Sequence, residues 1–255
     1  MDQSQSGMRT EEPMQKMDGK ALSLSIEVQI KDKVTMYLDK GNRKPKLVVL
    51  LIGDNPASVT YVKNKEKACE RVGIESAVYR MNKEVSTQDV LKVVSELNQD
   101  KSVDGILIQL PIPKQLDVNL IIESLDPNKD VDGLHSINIA KLYANQEGFV
   151  PCTPRGIMTL LKHYNIKISG KHAVVIGRSA LVGRPIAQLL LNENATVTVC
   201  HSKTEDLATL TRTADIIVVA IGKERFLTFE HVNRANAIID VGINRVNDKL
   251  VGDVD

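Results

Sequence analysis

Short, largely apolar runs recur along this chain, each followed by residues at helical spacing, and that rhythm narrows the possible folds more than any other feature. Residues 46–53 (KLVVLLIG), 75–81 (ESAVYRM) and 105–110 (GILIQL) form a first series of strands. Helical patterns over 58–72, 86–97 and 119–124 follow them, with one over 21–37 in front. The rhythm restarts after Pro151. A helix over 153–164 is predicted, with Thr153 as cap and Pro154 at its first position. Strands over 172–177, 195–200, 215–221 and 236–242 then alternate with helices over 185–194 and 205–212. Continuous apolar strands separated by helices imply crossover connections and parallel sheets covered on both faces. The expected fold is therefore α/β in two units, residues 17–150 and 151–255, meeting at a cleft.

Several classes of function are excluded early. A net charge of +1 gives no field to attract a polyanion or an anionic membrane, so phosphate binding has to be local. Aromatic residues are only 3% and Trp is absent, which argues against stacked nucleic-acid bases. No apolar run approaches the roughly 20 residues needed to span a bilayer. Cys69, Cys152 and Cys200 match no metal-ligand spacing, and so sparse a set suits a reducing cytoplasm. Residues 1–16 are polar, aperiodic and contain Glu11 and Glu12, as expected of a disordered arm or an appended remnant.

Residues 177–185, GRSALVGRP, stand between a buried strand and a helix, where a Rossmann-type unit holds a dinucleotide pyrophosphate against helix N-terminal amides. The spacing is Gly-x5-Gly rather than G-x-G-x-x-G, so a plain strand-to-helix turn is the alternative. The end of the next strand discriminates further. Residues 200–204 read CHSKT, with no acid before Glu205 to accept a ribose 2′-hydroxyl. Ser202, Lys203 and Arg178 can instead donate to a 2′-phosphate, which favours NADP.

In the helix over 58–72, Tyr61, Lys65, Ala68, Cys69 and Val72 fall on one stripe about 100° wide. Lys63, Glu66, Lys67, Glu70 and Arg71 lie outside it. Lys65 is thus the one charged residue expected on the inward face, where loss of water favours the neutral amine. A lysine that reaches around the helix edge to solvent is the alternative. Gln109 ends a strand, where ligands of parallel sheets bind. Asp132 lies in the DVDG turn at 130–133, facing any cleft between the units, although Asp-Gly is most often only a turn.

Taken together, Tyr61-x3-Lys65, DGILIQLPIP at 104–113, KDVDG at 129–133, PCTP at 151–154, GRSALVGRP at 177–185, HSKT at 201–204 and DVGIN at 240–244 carry a family resemblance. In order and spacing they resemble the bifunctional methylenetetrahydrofolate dehydrogenase/cyclohydrolase family. The resemblance covers residues 18–255. It implies a catalytic unit followed by a Rossmann-type NADP-binding unit, and a cytoplasmic homodimer formed through the nucleotide half. Tyr61 would stack on the folate, Lys65 would be the central catalytic group and Gln109 would hold it by a hydrogen bond. Asp132 would grip the amino-pyrimidine edge of the pterin. Gly177, Arg178, Ser179, Val182, Gly183, Ser202 and Ile243 would contact NADP. No metal is implied.

The family continues past the equivalent of Asp255 with a Pro- and Gly-rich segment and a last helix that packs back on the first unit. A chain ending at Asp255 is expected to lack part of the cleft lining. Two other readings stay open at this point: a different two-domain NADP dehydrogenase, of shikimate or amino-acid type, and a catalytically silent folate- and NADP-binding protein.

Overall fold

The computed structural model describes residues 15–233, 237–247 and 249–255, so the expectation for residues 1–16 lies almost wholly outside the described residues. The apolar runs are strands of two parallel sheets. In the first, β1 (Lys46–Ile52) lies between β2 (Glu75–Met81) and β3 (Gly105–Ile108), in the order β2-β1-β3. Residues 48–52 of β1 are all buried, since helices cover both faces of the central strand. In the second, β4 (His172–Ile176), β5 (Thr196–Cys200), β6 (Ile216–Val219) and β7 (Ala237–Asp240) take the order β5-β4-β6-β7. A small antiparallel hairpin, β8 (Asn244–Val246) and β9 (Lys249–Val251), was not anticipated from the sequence.

Helices flank both sheets. After α1 (Gly19–Asp39), α2 (Pro56–Val72) starts where the Asn55 side chain accepts from the amides of Ala57 and Ser58. It stops at Gly73, whose φ of 83° is left-handed. α3 (Thr87–Gln99) carries a capping box between Ser86 and Asp89, as the position of Ser86 suggests. α4 (Val118–Glu123) and an unforeseen α5 (Ser136–Tyr143) lead to α6 (Cys152–His163). The expected Thr153 cap is not made. α6 begins at Cys152, two residues before Pro154, with Pro151 at the cap position and no side-chain bond to its first amides. α7 (Gly183–Asn192) follows β4, and α8 (Leu207–Arg212) follows β5.

Each sheet is sealed on two sides. Leu50 and Ile106 pack with Val90, Val94 and Ile121 on one face of the first, while Val49, Leu51 and Leu107 pack with Val62 on the other. Val175, Ile186, Leu190 and Ile216 form one core of the second sheet, and Val174, Ile217 and Leu227 the other. Each such side chain contributes about 1.5–3 kcal/mol by leaving water. The halves are tied directly: the Asp18 amide donates to the Tyr164 hydroxyl at 2.7 Å, and Asn192 Nδ2 to the Leu142 carbonyl at 2.9 Å.

Candidate active site

The inward stripe of α2 runs through Ser58, Val62, Lys65, Cys69 and Val72, not through Tyr61. Val62 is fully buried, whereas Tyr61 is 48% exposed. The observed stripe keeps Lys65, Cys69 and Val72 of the expected one, but Ser58 and Val62 are buried in place of the ring of Tyr61, a turn of well under one residue. Lys65 stays on it, half-buried, and its ammonium donates to Gln109 Oε1 at 3.1 Å. Gln109 directly follows β3 and is buried. Its backbone amide donates to the Leu50 carbonyl, continuing the sheet, and its Nε2 donates to the Leu110 carbonyl at 2.8 Å. With Nε2 so occupied, Oε1 is turned towards Lys65.

The DVDG turn is attached to the same sheet. Asp130 bridges Ile106 in parallel, so the chain runs briefly beside β3 and delivers Asp132 on the side of Gln109. Asp130 is 1% exposed, and its carboxylate accepts from the His135 amide and from Asn138 Nδ2, both at 2.9 Å. Asp132 is half-buried and adjoins Cys152, the first residue of α6. Cys152 is exposed as a residue, but its Sγ lies against the Val131 carbonyl, and desolvation of the thiol there pushes it up to about 11, with the charge and hydrogen bond of Asp132 pushing the same way. The nearby ammonium of Lys65 and guanidinium of Arg155 oppose the rise. Lys65, Gln109, Asp132 and Cys152 therefore share one site, with Tyr61 exposed one helical turn before Lys65. Cys152 is not among the sequence-predicted site residues, since its spacing from Cys69 and Cys200 signals neither a metal site nor a disulfide framework. Its place in PCTP, at the junction of the two halves, was the available signal. Among the described residues, no group of three or more His, Cys, Asp or Glu side chains is placed to hold a metal ion.

In the second sheet, β4 ends in a tight loop. Gly177 has φ 119°, and a Cβ there would overlap the Ala220 carbonyl oxygen at the end of β6. Gly183 opens α7 so close to the Gly177 carbonyl that it too leaves no room for a side chain. Ser179 Oγ closes the loop by accepting from the amides of Val182 and Gly183 at 3.2 Å each, and both Ser179 and Arg178 are exposed. Ile176 pairs with Cys200, so Arg178 and Ser202, each two residues further on, stand at neighbouring strand ends. The turn carrying Ser202 is fixed by the His201 amide donating to Thr204 Oγ1 at 2.9 Å. Ile243 is 65% exposed just beyond β7. A loop closed by two glycines at a helix N-terminus, with a cation and hydroxyls at the adjoining strand end, fits a phosphorylated dinucleotide.

Residues 17–132 match the catalytic domain of tetrahydrofolate dehydrogenase/cyclohydrolase, and residues 151–255 match its NAD(P)-binding domain. The chain belongs to the tetrahydrofolate dehydrogenase/cyclohydrolase family. It is 53% identical over 243 residues to the bifunctional protein FolD of Campylobacter hominis, covering 95% of this chain and 85% of that protein. The crystal structure of the bifunctional FolD of Campylobacter jejuni superposes with a TM-score of 0.94 at 50% identity, over 95% of this chain and 86% of the other. The FolD of Trypanosoma brucei, solved with NADP cofactor and an inhibitor, superposes at 0.89 with 34% identity, over 93% and 84%. Two-domain architecture with parallel sheets is thus a property of the family and of this member.

Proposed function

We propose that the chain oxidises 5,10-methylenetetrahydrofolate with NADP⁺ to the 5,10-methenyl form and hydrolyses that product to 10-formyltetrahydrofolate in the same cleft. The observation that carries this reading is the Lys65–Gln109 hydrogen bond, made beside Asp132 on the family's catalytic domain. NADP⁺, when bound, supplies the hydride acceptor. Arg178 and Ser202 hold its 2′-phosphate, and the loop from Gly177 to Gly183, including Ser179 and Val182, lies against the pyrophosphate, with Ile243 beyond β7. Tyr61 offers an exposed ring for the folate to stack on, and the carboxylate of Asp132 accepts from the pterin's amino edge.

Loss of hydride leaves a cationic methenyl carbon open to attack by water, with the Lys65 amine, aimed by Gln109, as the proton carrier. That amine takes the proton of water as the oxygen bonds to the carbon. It returns that proton to N5 as the C–N5 bond breaks, and the remaining hydroxyl proton leaves to solvent as the C=O of the formyl group forms on N10. Gln109 holds the amine in place through Oε1. A homodimer formed through the nucleotide half is supported by the exposed apolar side chains Phe229 and Leu250. A cytoplasmic location is supported by three free cysteines, and no helix among the described residues is long and apolar enough to cross a membrane.

A progress curve that follows NADPH and the methenyl intermediate at separate wavelengths tests the reading. Both products should form in sequence. Failure to oxidise methylenetetrahydrofolate would return the protein to the other dehydrogenases, and ligand binding without turnover would make it a binding protein.

A further inference from the structure

The strand order of the second sheet reverses between β4 and β6, since the chain passes from β4 to β5 on one side and then crosses to β6 on the other. Dinucleotides lie across such a switch point, one mononucleotide half on each side. The loop after β4 forms one wall of the crevice. Ala220, Ile221 and Gly222, which follow β6, form the other.

That second wall is held from behind. The amides of Ile221 and Gly222 both donate to Asp253 Oδ2, at 2.8 and 2.9 Å. Asp253 is 0% exposed, and its Oδ1 accepts from Asn244 Nδ2 at 2.9 Å. Asp240, at the end of β7, brings it there by accepting from the amides of Asp253 and Val254 at 2.9 and 3.2 Å. Gly242 makes room, because a Cβ at that position would overlap the Asp253 carboxylate. A carboxylate removed from water needs donors in compensation, and three fixed donors allow it one orientation. The loop it orients is therefore fixed with it.

We propose that Asp253 is a positioning residue for the dinucleotide: by gripping the Ile221 and Gly222 amides it sets the wall of the crevice that receives the nicotinamide half. It does so without touching the ligand. The inference rests on the NADP reading above. It separates the two halves of the cofactor, because the donors to the 2′-phosphate stand on the β5 side and owe nothing to Asp253.

The test is titration of the full 255-residue chain with NADP⁺ and, separately, with 2′,5′-ADP, which carries the adenosine half alone. Asp253→Asn places an amide nitrogen against either Asn244 Nδ2 or the loop amides. It should weaken NADP⁺ about tenfold or more and leave 2′,5′-ADP within about twofold. Asn244→Asp in the same chain restores an acceptor opposite the new amide and should recover NADP⁺ affinity. Equal loss of both ligands, or loss of neither, overturns the proposal, as does a double variant no better than the single one. Should Asp253→Asn not fold, amide hydrogen exchange in the unaltered chain decides. Ile221 and Gly222 should exchange slowly without ligand, and exchange as fast as in an open loop would refute the grip. An unaltered chain that binds neither ligand would overturn the NADP reading itself, and this proposal with it.

Discussion

Lys65 Nζ donates to Gln109 Oε1 at 3.1 Å, joining the middle of α2 to the residue that follows β3. The acceptor is the amide oxygen of Gln109, so the lysine is aimed by a hydrogen bond and not by an ion pair. Hydride transfer needs alignment, while methenyl hydrolysis needs a proton carrier, and the two activities should separate at this residue. Lys65→Met keeps the flexible stem and removes the amine. Cyclohydrolase activity should fall roughly 10²–10⁴-fold, with the dehydrogenase reduced less and the methenyl intermediate accumulating. Equal loss of both activities would make Lys65 a group that only positions the folate.

Cofactor choice should turn on Arg178. A hydrogen bond to a charged group contributes on the order of 1.5–3 kcal/mol. Arg178→Ala should therefore weaken NADP⁺ roughly ten- to a hundredfold and leave NAD⁺ nearly unchanged, as read by titration of each. Parallel losses would show that Arg178 serves the loop and not the 2′-phosphate.

What the sequence discloses here is whatever has a local cause. β1 and β4 are legible as unbroken apolar runs because both faces are covered, and α2 and α3 because Gly73 and Ser86 punctuate them. α5 escapes notice: it spans eight residues, and its cap is an imidazole, with His135 Nδ1 accepting from the Ile137 amide at 3.1 Å. β8 and β9 are three residues each, too short for a period to register. Within the site, Lys65 and Gln109 announce themselves by their positions on a helix and at a strand end. Cys152 and Asp253 do not. Their surroundings are assembled from β3, β6, β7 and the DVDG turn, and no spacing in the chain encodes that.

Arg43 and Asp104 clamp the start of the first sheet. Two guanidinium nitrogens meet the Asp104 carboxylate at 2.7 and 2.8 Å, and the Lys46 amide donates to it at 2.8 Å. The Arg43 hydrogen bond, foremost, holds the Asp104 carboxyl below its usual range. A carboxyl lowered on folding stabilises the protein above its unfolded value of about 3.9 and ceases to do so as pH falls through the folded value. Both side chains are about half exposed, so solvent screening keeps the contribution of the pair small. Asp104→Asn should thus lower stability in urea at pH 7, and the difference from the unaltered chain should vanish in acid. A difference that stays constant down to pH 2 would assign the loss to packing.

Asp132 and Cys152 make the last prediction, because one substitution there has two independent readouts. If Asp132 grips the pterin, Asp132→Asn should weaken folate binding about tenfold or more, from loss of a charge-assisted bond, while sparing NADP⁺. The same carboxylate, after burial, is a cause of the raised Cys152 thiol at about 11. Near pH 8 the thiolate of Cys152 should therefore be roughly a hundredfold scarcer than for an ordinary free cysteine, and its alkylation correspondingly slow. Alkylation should climb with pH up to the region of 11. Asp132→Asn removes a negative neighbour and leaves the opposing charges of Lys65 and Arg155, so the thiol should fall and the rate at pH 8 should rise. Cys69 and Cys200 are buried and provide internal controls. The measurement is iodoacetamide incorporation at each cysteine, by peptide mass spectrometry across a pH series. An unchanged rate at Cys152 in Asp132→Asn would separate the two side chains, and with them the idea that the turn and the start of α6 face one ligand. A lost NADP⁺ affinity with folate binding intact would move Asp132 out of the pterin site altogether.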